Sequence, residues 1–356
     1  MRKYWKFVFA IMLVASGALF TFVFGDVSSF LQGDIVGKSQ AILPGVTSDV
    51  TQFDKEWIDR IEKVGAATAY HDFLIAYATA TTEVQHTNAH LFGNVLYQAD
   101  GIDGIKVCDS QFEAGCYHEF LGRAIQDDGT EIVVQLNEKC LETAEPDWCQ
   151  HGIGHGVVGY VGYEYDSLVN ALEICDTLRV QSRIGGCFGG VFMEYNSKLL
   201  ANANGGVGGG VRQFDETTGF NFPCDRIETP FRDACYFRQP QWWMTSIFSN
   251  QWGDKIGRLN MFKKMGELCG KVEEGTQQDY CFKGIGLYGV SVVSGNIEEM
   301  ILVCKSMPSN RDIECRAMAV NSPYFNLLPQ ETPQSMCDGL SSIDHRRCLE
   351  ISKTQL

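Results

Sequence analysis

Positive charge is scarce in this chain: 29 Lys and Arg stand against 44 Asp and Glu, a formal net charge of -15. Such a balance disfavours DNA or RNA partners, which are held by neutralising phosphates, and favours a highly soluble outer surface or attraction of cations. No CxxC step occurs among the 14 cysteines, nor the CxxCH of covalent haem attachment, which argues against the usual zinc and iron-sulfur frameworks. GxSxG, GxxxxGK(S/T) and HExxH are all missing, so a serine hydrolase elbow, a phosphate loop and a conventional zinc peptidase find no support. The GxG steps are no dinucleotide fingerprint, because no strand precedes them.

Cysteine is also absent from the first 107 residues, and beyond them its placement is regular. In chain order the 14 form seven close pairs: Cys108 with Cys116, Cys140 with Cys149, Cys175 with Cys187, Cys224 with Cys235, Cys269 with Cys281, Cys304 with Cys315, and Cys337 with Cys348. Members of a pair are 8 to 12 residues apart, whereas 22 to 37 residues separate one pair from the next. An even, clustered set in an exported chain reads as disulfides, and seven local bridges are predicted, although spacing alone leaves pairing between neighbouring clusters open. Each loop of about ten residues would contribute roughly 3 kcal/mol in the chain-entropy account. With every cysteine partnered, thiol nucleophilic catalysis is disfavoured.

Residues 7–25 are an almost unbroken apolar run, preceded by Arg2, Lys3 and Lys6 and followed by the first acidic residue, Asp26. That is longer than the roughly 7 to 15 apolar residues of a cleaved signal peptide and close to the roughly 17 to 25 that cross a bilayer as helix. The expectation is a signal anchor over residues 1–25, a single-pass membrane protein with its N-terminus inside and its main domain extracytoplasmic. Val23 and Gly25 leave processing open. Residues 26–52 then read as a juxtamembrane linker with a turn at Pro44 and Gly45, and residues 53–356 as an extracytoplasmic helical-repeat domain.

Helical periodicity begins at Phe53, with Trp57, Ile58, Ile61, Val64 and Ala67 on one broad face, and extends through Tyr77. Residues 82–97 form the next helix. From there a unit recurs in which one helix ends at a cysteine, a short polar turn follows, and a second helix starts at the paired cysteine. First helices are expected over residues 131–140, 167–175, 259–269 and 296–304, with partners starting at Cys149, Cys187, Cys281 and Cys315. The fold class is therefore all-α, a solenoid-like array of disulfide-stapled αα-hairpins after an N-terminal transmembrane helix. Glycines after Cys149, Cys187 and Cys281 point to close helix packing rather than ligand-facing backbone. A glycine-rich loop over residues 201–222 interrupts the array and would act as a lid if it folded over the histidines. Trp242, Trp243, Phe248 and Trp252 read as core between repeats or, if exposed, as a partner or membrane patch.

Five of the seven histidines recur in phase. His118 and His151 each stand two residues after a cysteine, His155 lies one helical turn beyond His151, and His86 and His90 repeat that four-residue step with Val84 in place of the cysteine. Residues four apart share a helix face, so stacked hairpins would bring His86, His90, His118, His151 and His155 together as ligands of a divalent metal. Imidazole suits zinc, copper and iron, with zinc ahead of the other two. Glu119 and Glu194 are the carboxylate candidates for catalysis. Glu119 projects about 100° round a helix from His118, so Glu194, seven residues after Cys187, is the better ligand, imidazole acceptor or general base. Glu83, three before His86, gives only part of a di-iron pattern. His71 either faces the same interior or is a core histidine bonded to a carbonyl, and His345 is a surface residue.

Function on this reading is a membrane-tethered extracytoplasmic metal-binding protein, with metal-dependent catalysis open. A metal-free helical-repeat scaffold or accessory subunit that binds another envelope protein is the alternative. The paired cysteines with a CxHGxGHG-like segment resemble uncharacterised membrane-anchored Cys/His-rich proteins of archaeal or bacterial envelopes. That resemblance covers mainly residues 84–194, through His86, His90, Cys116, His118, Cys149, His151, His155, Cys187 and Glu194. It implies a prokaryotic source and no particular activity.

Overall fold

A computed structural model describes residues 50–200, 210–308, 311–322 and 333–353. Among the described residues all regular structure is helical. Residues 53–77, expected as one helix, are two: α1 (Val50–Val64) and α2 (Ala66–Tyr77), parted at Gly65 with φ 83. A side chain is strained at that φ, so glycine lets the chain turn there. Phe53, Trp57 and Ile61 of α1 are buried at four-residue steps, the stripe an amphipathic helix turns to its core. After the Thr81 cap comes α3 (Thr82–Asp100), which ends where Gly101 adopts φ 59.

The hairpins follow in the expected order. A 3-10 turn (Gly101–Val107) precedes Cys108, and Cys116 lies in α4 (Gly115–Asp128). Next come α5 (Val133–Cys140) with α6 (Pro146–Val161), and α7 (Tyr165–Asp176) with α8 (Cys187–Ser197). Beyond the irregular stretch that carries Cys224 are α9 (Thr229–Trp242), then α10 (Lys255–Cys269) with α11 (Thr276–Val292), and α12 (Ile297–Lys305) with α13 (Asp312–Val320). A 3-10 turn (Pro333–Cys337) and α14 (Ser342–Ser352) close the array. All seven disulfides are the local ones, with Cα–Cα distances of 5.3 to 5.9 Å. Of the four second helices expected to begin at their cysteines, only α8 does; α6 starts at Pro146, which needs no N–H partner in a first turn, α11 at Thr276 and α13 at Asp312.

One layer is formed by α3, α4, α6 and α8, each packed on the next, and it continues through α9, α11, α13 and α14, with the shorter first helices against it. Glycine makes the close approach. A Cβ on Gly93 would lie 2.3 Å from the Cys116 carbonyl oxygen, one on Gly154 2.1 Å from that of Cys187, and one on Gly190 1.9 Å from that of His151. Real side chains do not fit at such distances, so these positions hold neighbouring backbones in contact. Trp242, Trp243 and Phe248 are buried, so the aromatic group is core, while Trp252 is 37% exposed.

The transmembrane part of the expected fold is corrected. Residues 7–25 lie outside the described residues, and among the described residues no helix is long and apolar enough to cross a membrane. With no such helix among the described residues, the membrane anchor and the single-pass extracytoplasmic placement are without support, and nothing among the described residues bears on an envelope-protein partner. Residues 201–209 of the glycine-rich loop are likewise outside the described residues. Its described part, 210–222, docks on α9: the Trp242 indole N–H donates to the Arg212 carbonyl (2.7 Å) and that of Trp243 to the Phe220 carbonyl (2.8 Å).

Candidate metal centre

Three adjacent helices carry five imidazoles into one cluster. His86 and His90 project from α3, His118 from α4, and His151 and His155 from α6. Ring centroids of His118 lie 5.6 Å from His86, 5.3 Å from His90, 5.8 Å from His151 and 4.4 Å from His155. Two groups of three, His86-His90-His118 and His118-His151-His155, each bring one ligand atom per residue within 4.8 Å of the others. The cluster can chelate a divalent metal. His71, by contrast, is exposed on α2, and His345 is half-buried, its Nδ1 on the Cys337 carbonyl at 3.0 Å.

The two HxxxH pairs are held alike. In each, the first histidine puts Nδ1 on a backbone carbonyl: His86 on Phe112 at 2.9 Å, His151 on Gly185 at 2.8 Å. The second histidine puts Nδ1 on a carboxylate: His90 on Glu119 at 3.4 Å, His155 on Glu194 at 2.8 Å. Within both pairs the two Nε2 atoms face each other at 3.2 Å. A carbonyl or carboxylate oxygen only accepts, so each Nδ1 so engaged carries the proton and its ring's Nε2 is a bare lone pair.

Sequence-distant backbone supplies those carbonyls. Phe112, Glu113 and Ala114 run in succession with φ 53, 56 and 59, a left-handed path that brings the Phe112 carbonyl back over His86. Such conformations cost non-glycine residues of order 1–3 kcal/mol each and persist only where their surroundings enforce them. Here Glu145 braces the turn, accepting from the Ser110 hydroxyl at 2.7 Å and from its backbone N–H. On the other side, packing of Gly190 on the His151 carbonyl fixes α6 against α8 and so sets the depth of the His151 ring.

The halves differ in exposure. His155 and Glu194 are fully buried, whereas the side chains of His90 and Glu119 are 13% and 19% exposed. Both Glu194 oxygens are occupied: Oε1 accepts from the Tyr163 hydroxyl (2.6 Å) and the Leu200 N–H (3.1 Å), Oε2 from His155 and the Leu199 N–H (3.1 Å). Burial pulls this carboxyl up, but the donors from His155, Tyr163 and Leu200 outweigh it and hold it below the usual carboxylate range. Glu194 is thus saturated as an acceptor, with His155 among its donors, and Glu119 is the carboxylate with access to solvent.

Burial drives the imidazoles toward neutrality. His86 is lowered to about 3, by desolvation and then by the facing His90. His118 and His151 lie well below the ordinary histidine value, His118 through burial and its imidazole neighbours, His151 through burial and the Arg238 guanidinium. Burial also lowers His155, against the opposing pull of Glu194. Neutral imidazole is the form that binds a metal.

Tyr163, Arg238 and Tyr288 were not foreseen. Arg238 of α9 is buried with Nη2 3.4 Å from His151 Nδ1, and its Nη1 donates to the Tyr288 hydroxyl and approaches Met193 Sδ at 3.5 Å. No carboxylate is among these partners. Tyr163 lies in the link between α6 and α7 and Arg238 three residues after Cys235, places no repeat signal marks, whereas Tyr288 stands seven residues after Cys281, the place Glu194 holds after Cys187, so repeat phase could have found it.

These features define an all-α, disulfide-stapled helical-hairpin array with a histidine cluster. No family model matches the chain, and neither does a curated protein or a solved structure. The resemblance to membrane-anchored Cys/His-rich envelope proteins is corrected accordingly: what remains of it is the cysteine and histidine pattern itself.

Proposed function

We propose that the chain is a helical-repeat protein that binds divalent metal through His86, His90, His118, His151 and His155, zinc ahead of copper or iron. The inner pair carries this reading. His151 and His155 both spend their Nδ1 protons on oxygen acceptors at 2.8 Å, so two lone pairs meet at 3.2 Å with no proton between them. A cation shared by the two nitrogens turns that repulsion into coordination, and the backbone carbonyl and carboxylate behind the rings are the outer partners that metal-bound histidines have. Zinc is favoured because it imposes no d-electron geometry and accepts three imidazoles while keeping one position open. Glu194 positions His155, and Glu119, part-exposed behind His90, is the carboxylate that could hold or take a proton on the solvent side of the site.

One observation favours a metal-free scaffold instead. The His90–Glu119 contact is 3.4 Å, long enough to give up, and His90 can then donate from Nε2 to His86 as an ordinary hydrogen bond. The inner pair offers no such escape. Elemental analysis of the natively purified full-length chain separates the readings. Metal near stoichiometry, lost from a His90→Ala/His155→Ala double variant that keeps its helical circular dichroism, supports the metal site. A wild-type chain that stays metal-free after supplementation with zinc, copper and iron salts overturns it in favour of the scaffold.

A further inference from the structure

The two histidine groups have one member in common, His118, and each needs a nitrogen from it. Its ring stands on α4, the middle of the three helices, between the His86-His90 pair of α3 and the His151-His155 pair of α6. Nδ1 is 3.4 Å from His90 Nε2, on the outer side. Nε2 is buried and has no hydrogen-bond partner. An orphaned buried nitrogen costs roughly 1–3 kcal/mol, and few native groups are left that way without a reason. The remaining four rings are used symmetrically, each with Nδ1 directed to an oxygen and Nε2 directed into its pair.

Resting on the metal reading above, we propose that the centre is binuclear and that the His118 ring bridges two divalent ions. Nδ1 serves the outer ion with His86 and His90, and Nε2 serves the inner ion with His151 and His155. Coordination of both ring nitrogens releases the single imidazole proton to solvent, and the ring binds as imidazolate, with no change of oxidation state. Each ion then has three protein nitrogens and an open position, the arrangement of catalytic rather than structural zinc. The paired carboxylates, Glu119 behind the outer site and Glu194 behind the inner, place one negative charge beside each ion.

Copper(II) titration of the metal-free full-length chain, followed by electron paramagnetic resonance, tests the bridge directly. Two copper ions bind per chain, and the signal at the second equivalent falls well below that of two isolated spins, because an imidazolate bridge couples them. His86→Ala and His151→Ala each retain one ion with an uncoupled spectrum, and His118→Phe, checked for fold by circular dichroism, shows no coupling at any loading. A single equivalent in the wild-type chain, or two equivalents with an uncoupled spectrum, overturns the bridge and leaves the metal reading intact. No copper binding at all overturns both. The wild-type spectrum alone decides the question should a variant fail to fold.

Discussion

Glu194 is where the chemistry of the centre and the stability of the fold meet, and its substitution separates the two. Four donors converge on its carboxylate: the His155 Nδ1–H, the Tyr163 hydroxyl and the N–H groups of Leu199 and Leu200. In Glu194→Ala the tyrosine hydroxyl can turn away and the part-buried Leu199 N–H can reach water, but the His155 and Leu200 N–H donors stay buried without acceptors. At roughly 1–3 kcal/mol each, the loss is about 2 kcal/mol at its smallest, before any cavity term. Glu194→Gln is different. Its amide oxygen can take the His155 and Leu199 donors while its NH2 donates to the Tyr163 oxygen, so the fold survives and the negative charge behind His155 is gone. Loss of such an outer acceptor costs about 10- to 100-fold in metal affinity, or roughly 1.4–2.7 kcal/mol. Urea unfolding of the metal-free, disulfide-intact chain reads the first effect, and competition with a chromophoric chelator reads the second. Glu119→Gln is the internal control: one 3.4 Å contact at a partly exposed carboxylate is worth less than about 1 kcal/mol. An alanine variant as stable as wild type, or a glutamine variant with unchanged affinity, would refute the role assigned to Glu194.

Acid destabilises the metal-free chain. His86, His118, His151 and His155 have folded-state values below the ordinary 6.5, so below about pH 6.5 the unfolded chain binds protons that the folded chain does not. Stability is therefore present above that pH and is lost as pH falls, by at most about 1.4 kcal/mol per pH unit for any one of them; urea midpoints that stay level between pH 7 and 4 contradict this. Gly190→Ala forces a Cβ to within 1.9 Å of the His151 carbonyl oxygen, which should destabilise by about 1–3 kcal/mol and weaken the inner site before the outer. Gly253→Ala, with nothing within 4 Å, leaves the melting temperature nearly unchanged. Removing the Cys140–Cys149 bridge as a double serine variant costs roughly 3 kcal/mol in the chain-entropy account, measured by the same urea titration. Chelator removes metal in two phases, the part-exposed His86-His90 side first and the buried His151-His155 side later, and a single phase for both would contradict the difference in burial.

Legibility of this fold came from local regularity. Cysteines 8 to 12 residues apart across a turn have nearby partners within reach, and all seven local pairings are present. Helix ends were less legible where sequence context outweighed the cysteine: Pro146 starts α6 early, and Gly65 divides what periodicity joins. The phase of the five histidines could be read because residues four apart share a face and stacked repeats keep that face in register.

What the sequence by itself determined, then, is the all-α hairpin array, its staples and the set of imidazoles that meet. Tertiary structure alone decided how they meet. The Phe112 carbonyl lies 26 residues from His86 and the Gly185 carbonyl 34 from His151, and they come into place through a left-handed turn and a backbone-on-glycine contact that no spacing encodes. Tautomer follows from those acceptors, and so does the direction of every Nε2 lone pair. The saturation of Glu194, the openness of Glu119 and the shared position of His118 are likewise consequences of which groups surround a side chain, a property of the packed helices rather than of the chain order.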